Sequence, residues 1–320
     1  MILAGIDEAG YGPLLGPLLV GCCAIRVPDT PEPPDLWREL RGIAGKHRER
    51  SGCKLHINDS KLVYTPDRGL RELERSVLAL AGAWGGKIDS LNALLAAVDP
   101  QAAGLLGEHR WYGMRDGEEF PIEADATSLR LMVNALAAEM GRVGMAVVHL
   151  AARVAPERYL NRMFDSTRNK SSVLFSLSAM HVDQLLRNFG ERRLIIHCDR
   201  QGGREHYGSL LRLMFEDWSL VVVKEEDGYS GYELHRGVQL VQIIFREKAE
   251  AQWMPVAIAS MLAKYLREAL MGRFNAWWAG QMPGIAPTAG YYTDGMRFLG
   301  EVEAKRKELG IGDAEMVRSR

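Results

Sequence analysis

The chain alternates between short apolar runs and stretches whose apolar residues recur at helical spacing. The apolar runs predict strands at residues 2–7, 17–27, 145–154, 193–198, 220–224 and 241–246. Helical spacing predicts helices at residues 67–82, 126–141, 171–188 and 255–278, and a further helix opens at Pro156. Strands that alternate with helices in this way predict an α/β protein with a central sheet.

The pattern breaks between residues 84 and 124, where glycine, proline and charged residues interrupt any period. We interpret this stretch as an insertion, and its His109-Arg110-Trp111-Tyr112 run as exposed. Two roles are open for Trp111 and Tyr112. They could stack on nucleic-acid bases, or they could pin the insertion to the body of the protein.

The composition is that of an ordinary globular protein. The 320 residues are 47% hydrophobic and 25% charged, with a net charge of −1, so any nucleic-acid footprint must be local. The four cysteines, Cys22, Cys23, Cys53 and Cys198, lack zinc-site spacing and are typical of reduced thiols. No apolar run approaches ~18 residues, so we expect a cytoplasmic protein without a membrane span.

Two adjacent acids end the first predicted strand. Asp7 and Glu8 are followed by Gly10 and Gly12. Successive strand residues point to opposite faces, so both carboxylates can reach one ion only where a glycine-rich backbone leaves the pleat. An isolated pair of this kind is more often a solvated turn. Other acids in the chain change that interpretation.

A third acid, Asp199, follows the strand at 193–198, and a fourth, Glu250, follows the strand at 241–246. Carboxylate oxygens are preferred ligands of Mg²⁺ and Mn²⁺. Two such ions can activate a water and stabilise a leaving oxyanion during phosphodiester hydrolysis. No Ser/His/Asp or Cys/His arrangement and no Walker loop stands out, which disfavours covalent and nucleotide-hydrolase mechanisms.

These acids lie in motifs that resemble those of the type 2 ribonucleases H, the ribonuclease HII and HIII family. Residues 5–17 resemble the family's opening Gly-x-Asp-Glu-x-Gly-x-Gly motif. Three more matches follow in the family's order: Asn58-Asp59-Ser60-Lys61, the strand ending in Asp199, and Lys248-Ala249-Glu250 followed by residues 256–264. The Lys-Ala-Glu sequence is the ribonuclease HIII version. Because the first motif begins at residue 5, we expect no counterpart of the amino-terminal domain of ribonuclease HIII.

The resemblance implies a ribonuclease H-like fold, a mixed central sheet flanked by helices. It implies a catalytic domain at residues 1–280, with the insertion at about 84–124, and a C-terminal helical extension at 281–320 that packs on the core. The implied activity is a metal-dependent endonuclease that hydrolyses the RNA strand of RNA/DNA hybrids, leaving 5′-phosphate and 3′-hydroxyl ends. The implied cofactors are two Mg²⁺ or Mn²⁺ ions. The partner is nucleic acid, and the protein is expected to be a monomer.

By the same resemblance, the catalytic and metal-binding residues are Asp7, Glu8, Asp199 and Glu250. The substrate-binding residues are Gly10, Tyr11, Gly12, Ser60, Lys61 and Tyr291. Tyr11 stands where ribonuclease HII has Arg and ribonuclease HIII typically has Thr. Tyr291 belongs to Gly290-Tyr291-Tyr292-Thr293, which resembles the late Gly-Tyr-x-Thr motif of ribonuclease HII.

Three functions stay open at the sequence level. The first is cleavage of RNA/DNA hybrids. The second is a ribonuclease H-like nuclease with a shifted substrate preference, which Tyr11 and the insertion suggest. The third is a catalytically silent nucleic-acid-binding protein, which the presence of all four acids disfavours.

Overall fold

The computed structural model describes residues 1–49, 52–86, 88–113 and 117–319. The strands in these residues are β1 (Ile2–Ala9), β2 (Leu18–Arg26), β3 (Ala44–Gly45), β4 (Leu55–His56), β5 (Ala146–Ala155), β6 (Leu194–Asp199), β7 (Ser219–Glu226), β8 (Tyr229–Arg236) and β9 (Gln239–Arg246). The α-helices are α1 (Leu36–Glu39), α2 (Ser60–Val63), α3 (Arg71–Trp84), α4 (Leu91–Val98), α5 (Ala102–Gly107), α6 (Ala126–Arg142), α7 (Glu157–Thr167), α8 (Lys170–Phe189), α9 (Gly208–Met214), α10 (Met254–Gln281), α11 (Tyr292–Glu308) and α12 (Asp313–Met316).

Seven of the described strands form one mixed sheet in the order β5-β2-β1-β6-β9-β8-β7. Strand β1 lies inside the sheet, antiparallel to β2 and parallel to β6, and β6 is parallel to β9. The parallel arrangement brings the carboxyl ends of β1, β6 and β9 to one edge, where ligand sites of open α/β sheets lie. The predicted α/β fold, a mixed central sheet flanked by helices with a helical C-terminal region, is confirmed.

Helix α10 packs directly on the sheet beside β1. A Cβ atom at Gly5 would lie 2.1 Å from the backbone nitrogen of Val256, so only glycine fits at this position of the strand. The small residues Ala257, Ala259 and Ala263, all fully buried, let the helix approach this closely. The glycine that opens the first motif therefore has a packing role.

The edge β8-β7 of the sheet differs from the sequence-based prediction. Strand β8 was not predicted, because Gly231 and several charged residues interrupt its apolar pattern. Tyr232 and Leu234 alternate inward on it and are buried. The predicted helix at 67–82 begins only at Arg71, after a 3₁₀ turn at Pro66–Arg68.

The insertion contains two short helices, α4 and α5, which the sequence pattern did not predict. The prediction that the run around Trp111 is exposed was wrong. Trp111 is 1% and Tyr112 2% exposed, and the Trp111 ring packs at 5.5 Å from Phe274 and 5.9 Å from Trp277 of α10. Both side chains pin the insertion to the body, and stacking on bases is not available to them.

The C-terminal residues also pack on the core. Phe298 and Val302 of α11 and Met316 of α12 are fully buried. Among the described residues, no helix combines the length and apolar character needed to cross a membrane. Division of the chain at residue 280 stays a prediction.

Candidate active site and comparisons with known proteins

Asp7 and Glu8 lie at the carboxyl end of β1. Asp7 is buried and its Oδ1 accepts a hydrogen bond from the Glu8 amide at 2.8 Å. Ser260 of α10 also hydrogen-bonds the Asp7 carboxylate. The strand runs two residues beyond its predicted end at residue 7, so both acids still lie within β1, and the chain turns only at Gly10.

Asp199 ends β6, the parallel neighbour of β1. Ile6 is paired with Cys198, so Asp7 and Asp199 follow at the same level of the sheet. The Asp199 Oδ1 accepts a hydrogen bond from the Ala249 amide at 3.1 Å. Ala249 and Glu250 belong to a 3₁₀ turn that begins after Lys248, whose φ of 55° is left-handed. This turn brings Glu250 to the edge of the sheet that holds Asp199.

The electrostatics of the four acids show that they share one environment. Burial, then the charges of Glu8 and Asp199, raise the pKa of Asp7 well above its usual range. Burial and the Asp199 charge raise the pKa of Glu8 to about 7 and that of Glu250 to about 7. Burial also raises the pKa of Asp199, although a hydrogen bond from the Ala249 amide limits the rise.

The donor chemistry of this cluster suits a hard divalent cation. Glu250 Oε2 is buried and has no hydrogen-bond partner in the described structure, so one carboxylate oxygen is available as a ligand. Within the described residues, however, no three His, Cys, Asp or Glu side chains are grouped closely enough to form a ready metal site. The four acids are thus coupled by charge without forming a closed ligand set, and metal binding by them stays a prediction.

The loop at residues 10–17, which we name the glycine loop, leads away from the acids. Gly10 has a φ of +87°, and a Cβ there would lie 2.7 Å from both the Pro17 carbonyl oxygen and Arg267 Nε. Gly12 is exposed, and nothing lies within 4 Å of the position of its Cβ. Of Gly10 and Gly12, only Gly10 is therefore demanded by the fold.

Tyr11 lies between the two glycines and is half-buried. The Lys170 ammonium group lies 4.8 Å from the centroid of its ring, and its hydroxyl faces Gly202 in the loop after β6. Burial, then the charge of Glu8, raise the pKa of Tyr11. Tyr11 is thus next to the acids, with its ring against the loop that follows Asp199.

The other predicted substrate-binding residues, Ser60, Lys61 and Tyr291, differ in how far they are exposed to solvent. Ser60 is buried at 5% exposure, and its hydroxyl shares a 3.1 Å hydrogen bond with the hydroxyl of Ser260, so it supports the site from beneath. Lys61 is exposed, and its positive charge opposes the burial-driven rise in the pKa of Glu8 and Asp199. Tyr291 is 52% exposed, with the Arg267 guanidinium 5.7 Å from its ring.

Three charged residues under the glycine loop were missed by the sequence analysis. Arg267 and Arg318 are 1% and 5% exposed, and Glu157 is fully buried. Glu157 accepts hydrogen bonds from the Gly16 amide at 3.0 Å and the Tyr112 hydroxyl at 3.0 Å. Arg267 could have been found, because it falls on the apolar stripe of α10. No sequence signal marks Arg318.

Comparison with known proteins gives structural neighbours only. No protein-family profile and no curated protein matches the chain. Among solved structures, the chain is similar to one in the PCNA:RNase HII complex from Archaeoglobus fulgidus, with 16% identity, a TM-score of 0.43, and coverage of 100% of this chain and 95% of that one.

Two further solved structures are similar to the chain. Ribonuclease H2 from Pyrococcus horikoshii has 14% identity and a TM-score of 0.43 over 99% of this chain and 92% of its own. Bst-RNase HIII in complex with Mn²⁺ has 14% identity and a TM-score of 0.41 over 99% of this chain and 66% of its own. These neighbours belong to the family that the motifs resemble, and the identities do not separate its HII and HIII branches.

Proposed function

We propose that this protein is a metal-dependent endonuclease that hydrolyses the RNA strand of RNA/DNA hybrids to 5′-phosphate and 3′-hydroxyl ends. The observation that supports the proposal is that Asp7, Glu8, Asp199 and Glu250 come from neighbouring elements at the carboxyl edge of the sheet, and that burial raises the pKa of each. Buried carboxylates that repel one another destabilise the fold unless cations or protons neutralise them. Such a cost is expected at a functional site.

The four acids would hold Mg²⁺ or Mn²⁺, which supply the activation of water and the stabilisation of the leaving oxygen. The surrounding residues of this chain have separate tasks. Ser260 and the Ala249 amide orient the carboxylates of Asp7 and Asp199. Lys61, exposed beside the acids, offers a positive charge to a backbone phosphate.

Recognition of ribose is assigned to the glycine loop. A 2′-hydroxyl is both a donor and an acceptor, and it is what distinguishes RNA from DNA. The backbone at Gly12 is open to a ligand, and the half-exposed Tyr291 offers an aromatic face for the sugar or base. The partner is nucleic acid, bound by the protein as a monomer.

The test is a cleavage assay with Mg²⁺ or Mn²⁺ on three substrates: a long RNA/DNA hybrid, a DNA duplex with one embedded ribonucleotide, and plain duplex DNA. We expect cleavage only where ribose is present, and no cleavage by Asp199→Asn. Asp183→Asn is the matched control, because Asp183 lies on the surface of α8 and pairs with Arg187 at 2.9 Å. Equal cleavage of all three substrates, or an active Asp199→Asn, would contradict the proposal.

A nuclease with a shifted substrate is the second candidate, and Tyr11 in the glycine motif is the observation that favours it. Efficient cleavage of the embedded ribonucleotide with little cleavage of the long hybrid would support it. Binding of the hybrid without cleavage of any substrate would support a catalytically silent nucleic-acid-binding protein.

A further inference from the structure

Two carbonyl groups of the glycine loop, those of Gly10 and Tyr11, accept hydrogen bonds from one side chain near the far end of the chain. Arg318 donates from Nη1 to the Gly10 carbonyl at 2.5 Å and from Nη2 to the Tyr11 carbonyl at 3.3 Å. The Arg318 amide also donates to the Leu14 carbonyl at 3.0 Å. One residue therefore contacts three carbonyl groups of a loop that lies 300 positions earlier in the sequence.

Because the peptide bond is planar, this contact also fixes the direction of the amide groups on the opposite side of the loop. In a trans peptide, the C=O of one residue and the N–H of the next point in opposite directions. With the Gly10 and Tyr11 carbonyls directed at Arg318, the amides of Tyr11 and Gly12 point away from it. Neither amide donates a hydrogen bond to any described residue. Two adjacent donors are thus presented on the open side of the loop.

The guanidinium does more than orient these peptides. A positive charge on the carbonyl oxygens polarises each peptide group, and hydrogen bonds in such chains strengthen one another. Arg318 keeps that charge, since burial lowers its pKa only to about 10. Its position is fixed by Asn161 of α7, whose side chain accepts from the Ser319 amide at 2.7 Å and donates to the Val317 carbonyl at 2.8 Å.

We propose that Arg318 is a positioning residue, which fixes and polarises the Gly10 and Tyr11 peptides so that the Tyr11 and Gly12 amides are directed at the ribose of the substrate. The inference rests on the proposed function, because it assigns those amides to ribose recognition. It gives the C-terminal residues a role in specificity, although they lie outside all four family motifs.

The experiment compares Arg318→Ala and Arg318→Lys with a matched control, Arg306→Ala. Arg306 also carries a guanidinium in the C-terminal region and pairs with Asp313 of α12, but no hydrogen bond or ion pair among the described residues joins it to the glycine loop. Two quantities are measured: the ratio of kcat/KM on a hybrid to that on its all-DNA counterpart, and the amide ¹H–¹⁵N shifts of Tyr11 and Gly12. We expect Arg318→Ala to lower the ratio at least about tenfold, and Arg318→Lys to lower it less, because an ammonium keeps the positive charge but lacks the fixed fork of donors that spans both carbonyls.

The amide shifts of Tyr11 and Gly12 should move in both Arg318 variants and stay in place in Arg306→Ala. An Arg318→Ala protein that folds and keeps the wild-type ratio would overturn the inference, as would unmoved amide shifts. Should Arg318→Ala fail to fold, Arg318→Lys decides by the same two readouts. A wild-type protein without ribose preference would instead contradict the proposed function, and the amide shifts would still decide whether Arg318 controls the loop.

Discussion

Four carboxylates occupy a region of the protein in which burial already disfavours negative charge. The pKa of Asp7 is raised well above its usual range, because the side chain is buried and faces Glu8 and Asp199, and hydrogen bonds from Ser260 and the Glu8 amide offset this rise only in part. Removing one carboxylate charge at this residue while keeping its shape therefore separates its contribution to catalysis from its contribution to stability.

Asp7→Asn should lower the rate of hybrid cleavage by about 100-fold or more, because a neutral amide is a weak ligand and cannot support charge stabilisation. Stability should hold or rise as repulsion with Glu8 and Asp199 is relieved. Single-turnover cleavage and urea unfolding measure the two effects. Wild-type cleavage by Asp7→Asn at saturating Mg²⁺ would exclude the metal mechanism.

Gly10 and Gly12 of the glycine loop make a matched pair for substitution. From sequence alone, a β-branched side chain at Gly10 is expected to abolish the preference for RNA over DNA. The left-handed φ of Gly10 and the 2.7 Å approach to the Pro17 carbonyl oxygen mean that a side chain there also strains the fold. We expect Gly10→Ala to destabilise the protein by about 1–3 kcal/mol. Gly12→Ala, with open space around its Cβ, should change stability by no more than about 0.5 kcal/mol and still lower the RNA/DNA cleavage ratio.

Urea unfolding and the cleavage ratio of both variants are the measurements for this pair. A stable Gly10→Ala would show that the loop relaxes around the new Cβ. An unchanged ratio in Gly12→Ala would remove Gly12 from the ribose site. Tyr11→Arg, which restores the ribonuclease HII pattern, should preserve or sharpen the ratio.

At the scale of elements, prediction succeeded where local pattern and tertiary role agree. Strands β1 and β6 are apolar on both faces because helices cover both, so their runs are unmistakable in the sequence. Strand β8 forms because β7 and β9 pair with its backbone. Its polar residues Ser230, Glu233 and His235 interrupt the apolar pattern by which a strand is predicted from sequence. The glycine loop was predicted, but its contacts with Arg267 and Arg318 depend on long-range packing that no local pattern records.

The insertion is a structural element whose aromatic residues serve the core. Trp111→Ala should destabilise the protein by about 3–5 kcal/mol through loss of contacts with Phe274 and Trp277. Cleavage per folded molecule should change little, because Trp111 does not face the acids. Leu131→Ala is the control, since Leu131 is 68% exposed on α6 and its truncation should change stability by less than about 0.5 kcal/mol. A loss of substrate binding with unchanged stability would restore the base-stacking interpretation.

At the scale of the whole molecule, the net charge is close to zero, at −1. The protein nevertheless contains buried titratable groups whose contributions to stability change with pH in opposite directions. Burial raises the pKa of Glu157 from 4.5 to about 7, so between these values the folded protein holds a proton that the unfolded chain has lost. The contribution of Glu157 to the free energy of unfolding is therefore present at low pH and is lost as pH rises through 7. Buried histidines act in the opposite sense, because burial lowers the pKa of His109, His149, His181 and His197.

Glu157→Gln isolates one of these contributions, because glutamine keeps an acceptor for the Gly16 amide without the titrating charge. Relative to wild type, the variant should gain about 3 kcal/mol of stability between pH 5 and pH 8, from the shift in pKa at about 1.4 kcal/mol per unit. Guanidinium unfolding of both proteins at both pH values measures the difference, in which the contributions of His149, His181 and His197 cancel. A constant difference would mean that Glu157 is ionised at both pH values.

Divalent cations should stabilise the folded protein as a whole, because a ligand that binds only the folded state raises its stability by RT ln(1 + [L]/Kd). At a concentration 100 times Kd this amounts to about 2.7 kcal/mol, which is readily seen as a rise in Tm. The rise should occur with Mg²⁺ or Mn²⁺, disappear in Asp7→Asn and in Asp199→Asn, and persist in Glu157→Gln, whose carboxylate is buried beneath the glycine loop. Because chelation with EDTA reverses it without any substrate present, the measurement tests metal binding separately from catalysis. A rise that persists in both aspartate variants would place the cation elsewhere in the molecule.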